Sequence, residues 1–260
     1  MKNITVIKIG GSTFGSGDTT VEDIVALQKK GHALVVIHGG GSAVTDWLKR
    51  QGTATRFVRG ERVTDLPTLQ VATAVLSGLV NKEITAAINL RGGKACGISG
   101  ADGALIESAV KDPEMGFVGS VVKVNAALLE TLLNGGFVPI ISPISLYSQN
   151  RSADAPLLVN VNGDPVAGDI AAAIKAARLV FLTDVIGIAD ASGKVCERLS
   201  EIEAQELIKS GIIAGGMIPK VNACIKALSA GTLPRIIDGR RPHAIAEELT
   251  KPSAGTTIVK

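Results

Sequence analysis

Aromatic residues are scarce, with one Trp, one Tyr and five Phe in 260 residues. A core without rings has to be built from Val, Ile, Leu and Ala, which favours a buried parallel sheet flanked by helices. The same scarcity leaves few stacking platforms for single-stranded nucleic acid, and a net charge of +3, scattered along the chain, argues against a nucleic-acid partner. The three cysteines, Cys96, Cys196 and Cys224, are far apart and form no C-x-x-C, so buried free thiols in a reducing compartment are expected. His32, His38 and His243 have no metal-ligand spacing, and no protein metal site is expected. No apolar stretch is read as membrane-spanning and no apolar leader precedes the first strand. The expectation is a cytoplasmic protein with no membrane partner. Two nucleotide and ester-hydrolysis signatures are also missing: neither G-x-x-x-x-G-K-[ST] nor G-x-S-x-G occurs.

What the chain has is glycine at the ends of strands. Lys8-Ile9-Gly10-Gly11 closes the apolar run Ile4–Ile9, and His38-Gly39-Gly40-Gly41-Ser42 closes the run Ala33–Ile37. Glycine lets the backbone turn sharply, and successive N–H groups in such a turn form a concavity for anions. A helix following each turn adds its positive end. Lys8 adds a point charge. A lysine in a buried strand is costly without an anionic partner, so Lys8 reads as a phosphate ligand rather than an edge-strand lysine pointing to water. Val44 stands where G-x-G-x-x-G needs its third glycine, so a dinucleotide fold is weakly supported.

Strand–turn–helix units recur along the chain, the order of an α/β fold. Length suggests one continuous sheet with two lobes, here residues 1–150 and 151–260. The expected fold is a three-layer αβα sandwich around a mainly parallel central sheet. Thr19 or Thr20 is placed as cap of a helix to about Lys30, and Ser42 as cap of another to about Gln51. Residues 55–64 read as a hairpin around Arg59-Gly60. A long, broadly apolar helix follows, capped by Thr64 or Asp65, with Pro67 in its first turn. It is either a subunit interface or simply a helix buried in the monomer. Tyr147–Pro156 is polar and is taken as a lobe junction or mobile loop. Asp164 opens a helix and could be a plain N-cap. Asn160 could be a turn residue, Arg62 a solvated charge, and Lys220, after Gly215-Gly216, a surface lysine.

Their order changes that reading. Lys8–Gly11, His38–Gly41, Gly60-Glu-Arg-Val-Thr-Asp65 and Gly78-Leu-Val-Asn-Lys82 are followed by Asn160-Val-Asn-Gly-Asp164, Thr183-Asp-Val185, Gly215-Gly-Met-Ile-Pro-Lys220 and Ile236-Ile-Asp-Gly-Arg240. The series spans essentially the whole chain and resembles the amino acid kinase family. The Arg-Val-Thr-Asp and Val-Asn-Lys segments resemble its acetylglutamate branch in particular. The resemblance implies an enzyme that phosphorylates the γ-carboxylate of N-acetyl-L-glutamate with ATP and Mg²⁺, in arginine biosynthesis. It implies Lys8 and Lys220 against the transferring phosphoryl group and Asp164 between them. Arg62, Asn160, Gly40 and Gly41 are implied at the amino-acid substrate, and Gly10 and Gly11 at the phosphates. Thr183, Asp184, Val185 and Gly187, with Ile213, Gly215, Gly216 and Met217, are implied in the nucleotide pocket.

Two positions depart from the family pattern: Gly163 stands where alanine is common, and Ala101 where lysine is frequent. The chain starts just before its first strand, without the extra N-terminal helix of arginine-inhibited hexameric members, so an arginine-insensitive homodimer is expected. Two other readings stay open. One is a kinase for a carrier-protein-bound aminoadipate or glutamate. The other is a non-catalytic amino-acid sensor, disfavoured by the retention of both lysines. Uridylate and carbamate kinases share the glycine turns but are disfavoured by the Arg62–Asp65 segment.

Overall fold

The structure, a computed structural model, describes residues 3–10, 18–58, 60–251 and 254–260. Its strands, in chain order, are β1 (Ile4–Ile9), β2 (Ala33–His38), β3 (Phe57–Val58), β4 (Glu61–Arg62), β5 (Ala95–Ser99), β6 (Ile106–Val110) and β7 (Val118–Val124). They continue with β8 (Val138–Ser142), β9 (Ile144–Gln149), β10 (Leu158–Val161), β11 (Arg178–Thr183), β12 (Arg198–Ser200), β13 (Leu233–Asp238) and β14 (Gly255–Val259).

Eight of these form one sheet in the order β12-β14-β13-β11-β1-β2-β8-β5. It is parallel except where β14 runs against β13. Side-chain alternation divides the core in two. Ile7, Ile9, Leu34 and Val36 pack with Ile24, Ile84, Ile88 and Ile245, so the helices Thr20–Lys29, Leu66–Leu90 and Ala244–Thr250 cover one face. Val6, Val35, Ile37 and Phe181 pack with Leu129, Val166, Ile170 and Ala227, so the helices Ala127–Asn134, Gly163–Ala173 and Met217–Ser229 cover the other. The result is the expected three-layer αβα arrangement. The central strands are buried on both faces, which is why they read as unbroken aliphatic runs.

The four remaining longer strands are not part of that sheet. They close into a small barrel, β10-β7-β6-β9. Single-strand patterns do not disclose which strands pair, so the barrel was not foreseen. Nor was the short helix Ala244–Thr250. Tyr147–Gln149, placed in a polar loop by composition, belongs to β9. The loop that follows is tied down by Arg151, which donates to the carbonyls of Ser152, Ala153 and Ala155.

Thr19 is the N-cap residue of Thr20–Lys29, one of the two expected, although the Thr20 N–H is accepted by Asp18 and Thr19 Oγ1 accepts from the His243 N–H. Two other caps differ from the sequence reading. Ser42 lies inside the helix Gly41–Arg50, whose N-cap is Gly40. Asn162, not Asp164, is the N-cap of Gly163–Ala173. The cysteines also divide: Cys224 is buried, but Cys96 and Cys196 are partly exposed.

Leu66–Leu90 is continuous over 25 residues, with a mean hydropathy of 1.3 in its most apolar stretch. By length and composition alone it is long and apolar enough to cross a membrane, which corrects the expectation that no stretch is. Here Leu69, Ala72, Val75, Leu76, Ile84 and Ile88 are buried against protein. Asp65 caps its start by accepting from the Thr68 N–H. Its middle, Ala74–Val80, is wound as a π-helix, a local widening that turns the residues after it onto a new face.

Candidate active site

Alternation along β1 places Lys8 on the same face as Val6, toward the helix Gly163–Ala173. Asp164 lies in the first turn of that helix and is buried. Lys8 Nζ approaches Asp164 Oδ1 at 2.6 Å. Lys220, in the first turn of Met217–Ser229, reaches Asp164 Oδ2 at 2.8 Å. The two helices are close enough for this because they cross at Gly168. A Cβ there would fall 2.7 Å from the Ala223 carbonyl oxygen. Burial by itself would raise the Asp164 pKa. The charges and hydrogen bonds of the two lysines outweigh that and hold the carboxyl below the ordinary carboxylate range. The carboxylate therefore stays ionised and aims both ammonium groups.

Beside this triad is a pocket of about 250 Å³, walled by Lys8, Gly39, Gly40, Gly41, Arg62, Asn160 and Gly163 among others. Gly40 has φ 139°, and a Cβ there would meet Leu76 Cδ2 at 2.8 Å, so glycine is required by both backbone and neighbour. Gly41 begins a helix and its N–H has no intrahelical acceptor, which leaves it free to bind an anion.

Arg62 enters from the hairpin β3–β4. Cross-strand pairing with Phe57 sets its guanidinium 4.6 Å from the ring centroid. Nη2 donates to the Gly41 carbonyl at 2.9 Å and to Thr45 Oγ1 at 2.6 Å. Nη1 is buried with no hydrogen-bond partner among the described residues. Burial lowers the Arg62 pKa, yet an arginine stays charged. A buried guanidinium edge without an acceptor, on a pocket wall, has the chemistry of a carboxylate receptor. Asn160, at the end of the barrel strand β10, donates from Nδ2 to Thr64 Oγ1 at 3.3 Å. Thr64 in turn donates to the Arg62 carbonyl. Thr45 carries no signal in the sequence, and Thr64 is read there only as a helix cap and motif position. Both are ordinary threonines there, and only their contacts distinguish them.

Gly10 follows β1, and Gly11 lies outside the described residues. Thr183 ends β11 and donates to the carbonyls of Val185 and Ile237. Asp184 and Val185 are exposed just beyond it, and Gly187 sits where a Cβ would meet Thr256 Oγ1 at 2.6 Å. Gly215 and Gly216 are exposed and Met217 partly so, but Ile213 turns into the core. Its neighbour Ile212 is the exposed one of the pair.

A parallel sheet at whose ligand edge two lysines share one carboxylate, beside glycine N–H groups and a guanidinium with one nitrogen left over, defines a phosphoryl-transferring enzyme that accepts anionic substrates. The chain belongs to the amino acid kinase family, whose sequence model matches residues 3–238. It is 49% identical over 257 residues to an acetylglutamate kinase of Dehalococcoides mccartyi, covering 99% of this chain and 94% of that protein. It is 43% identical to an acetylglutamate kinase of Cereibacter sphaeroides, covering 98% and 87%. Among solved structures, N-acetylglutamate synthase from Neisseria gonorrhoeae, complexed with coenzyme A and N-acetyl-glutamate, superposes with a TM-score of 0.83 at 26% identity. That match covers 99% of this chain and 59% of the synthase.

Proposed function

We propose that the protein transfers the γ-phosphoryl group of ATP to the γ-carboxylate of N-acetyl-L-glutamate, giving N-acetylglutamyl 5-phosphate for arginine biosynthesis. The observation that carries this reading is the pairing of Lys8 and Lys220 on the two oxygens of Asp164, beside a pocket holding the unpartnered Nη1 of Arg62.

A carboxylate is already a nucleophile at neutral pH and needs no general base. The barrier is the approach of an anion to a polyanion. Phosphoryl transfer is therefore governed by positioning and charge stabilisation. In this reading Arg62 and the Asn160 amide hold the amino-acid end of the substrate, directing its γ-carboxylate toward Lys8. The carboxylate oxygen bonds to the γ-phosphorus as the bond to the β-phosphate bridging oxygen breaks, and that electron pair leaves on ADP. Lys8, Lys220 and the N–H groups of Gly10, Gly11, Gly40 and Gly41 meet the charge on the transferring group. The segments Thr183–Gly187 and Ile213–Met217 take the nucleotide, with Ile212 rather than the buried Ile213 as the apolar contact.

Among the described residues no cluster of His, Cys, Asp or Glu is arranged to hold a metal. Mg²⁺ is assigned to the nucleotide phosphates and water, where it would neutralise phosphate charge. The acetylglutamate side is assigned to residues 1–150 and the ATP side to 151–260, with Asn160 reaching back across the seam on β10. The half-exposed helix Leu66–Leu90 is assigned to a homodimer contact, and the enzyme to the cytoplasm.

A carrier-linked substrate would favour a basic pocket mouth. The pocket wall carries Lys8, Arg62 and a Glu61 neutralised by Lys111, so competing turnover of free acetylglutamate against a carrier-linked substrate separates the two readings. The test is ADP release by the purified protein with MgATP, with and without N-acetyl-L-glutamate, with hydroxylamine present. Acetylglutamate-dependent ADP and hydroxamate are expected. Nucleotide binding without that turnover would reject the free substrate.

A further inference from the structure

His38 belongs to none of the roles above, yet it is fully buried directly behind the wall formed by Gly39, Gly40 and Gly41. Its Nδ1 lies 2.7 Å from the Gly39 carbonyl oxygen and its Nε2 lies 3.2 Å from Asn81 Nδ2. Asn81 follows the π-helical turn, on the face that turn creates. Its Nδ2 also donates to the carbonyls of Ile98 at 3.1 Å and Ile140 at 2.8 Å, while its Oδ1 accepts from Lys82 Nζ at 3.0 Å.

These contacts fix the protons. Two carbonyls can only accept, so the Asn81 atom facing them is the nitrogen. Both amide hydrogens serve those carbonyls and an amide nitrogen cannot accept, so the His38 Nε2 facing it carries no hydrogen, and the hydrogen of the neutral ring is on Nδ1, donated to Gly39. A protonated ring would set two donors against each other. Burial, with the positive charges of Lys8 and Lys82 adding to it, keeps the ring neutral against the hydrogen bond to Gly39.

In a trans peptide the C=O and the following N–H point in opposite directions. Holding the Gly39 carbonyl back on His38 therefore turns the Gly40 N–H away from the core, toward the pocket. We propose that His38 is a positioning residue for phosphoryl transfer, tethering the Gly39 carbonyl so that the Gly40 N–H is aimed at the transferring group, and that Asn81 selects the tautomer that makes the tether. The inference rests on the phosphoryl-transfer reading and names the residues that hold its anion-binding turn in register.

The substitutions His38→Asn and His38→Gln separate this role from packing. An asparagine amide nitrogen is attached at Cγ, as Nδ1 is, and retains the donor to Gly39. A glutamine amide is one atom further out and restores only the link to Asn81. We expect H38N to keep kcat within about threefold and H38Q to lose about tenfold or more, a fraction of the loss from deleting a transition-state donor outright. KM for acetylglutamate should stay within about twofold, while H38Q should lose the preference for MgAMPPNP over MgADP that a γ-phosphate contact creates. Nitrogen-15 NMR of the wild-type ring should show the neutral Nδ1–H form from pH 6 to 8. Rescue by Gln but not Asn, equal kcat in both variants, or an Nε2–H ring would overturn the proposal. Absence of acetylglutamate turnover in the wild type would reject the substrate reading alone. The tautomer and the nucleotide preference, which involve no acetylglutamate, would still decide the role of His38.

Discussion

Lys8 Nζ sits 2.6 Å from Asp164 Oδ1, with the lysine side chain 9% exposed and the aspartate side chain 4%. A pair this deeply buried repays its desolvation only while both charges are present. Asp164 also serves Lys220, so removing the carboxylate leaves two buried or half-buried ammonium groups facing each other. Asp164→Ala is expected to lower stability by about 3–5 kcal/mol, read by urea unfolding, and to abolish turnover. Lys8→Ala is expected to reduce kcat by about 10²–10³. Intact turnover in Lys8→Ala would remove the lysine from the chemistry.

Arg62 predicts a different kinetic signature. It binds a part of the substrate that does not react, so its loss weakens ground and transition states alike. Arg62→Ala should raise KM for acetylglutamate with kcat little changed. Arg62→Lys should not restore it, because an ammonium lacks the planar fork that serves Gly41, Thr45 and a carboxylate together. Steady-state kinetics on the two variants decide it.

Gly163 and Gly168 lie in one helix and predict opposite outcomes. A Cβ on Gly163 would find its nearest atoms at 3.5 Å, ordinary contact with the His38 carbonyl and Lys8 Cε. Gly163→Ala should fold and turn over normally. A Cβ on Gly168 would lie 2.7 Å from the backbone of Ala223. Gly168→Ala should push the helices apart, lower the melting temperature and loosen Lys220 from Asp164.

The pH dependence of stability should carry the mark of His38. Burial lowers its pKa from 6.5 to about 4. A group with a depressed folded-state pKa contributes stability that is present above pH 6.5 and lost progressively as pH falls through 4. The full loss is about 3 kcal/mol. Between pH 7 and 4.5 the urea midpoint of the wild type should fall further than that of His38→Gln. Equal slopes would mean the ring is not held neutral.

The fold was legible where local rules suffice. Ile4–Ile9 and Arg178–Thr183 are short aliphatic runs that make sense only as strands buried on both faces, and the glycines after them mark the ligand edge of a parallel sheet. The barrel was not legible, because β10 pairs with β7 and β9 through backbone groups that every residue carries. The caps were misread for a related reason. Ser42 and Asp164 are both good capping residues, and only the path of the chain decides which oxygen reaches an N–H.

The amino-acid sequence by itself determined the chemistry available. It set a lysine before a glycine turn, an arginine in a hairpin, an aspartate at a helix start and a second lysine after another glycine turn. It also determined the alternation that sends Lys8 and His38 to opposite faces of the sheet. Tertiary structure alone decided that Lys8 and Lys220 share one carboxylate, because that depends on how closely two helices cross at Gly168. It alone decided that Arg62 keeps one nitrogen unpartnered and that His38 meets Asn81. Such contacts join segments far apart in the chain, and they form only when the aliphatic core has brought those segments together.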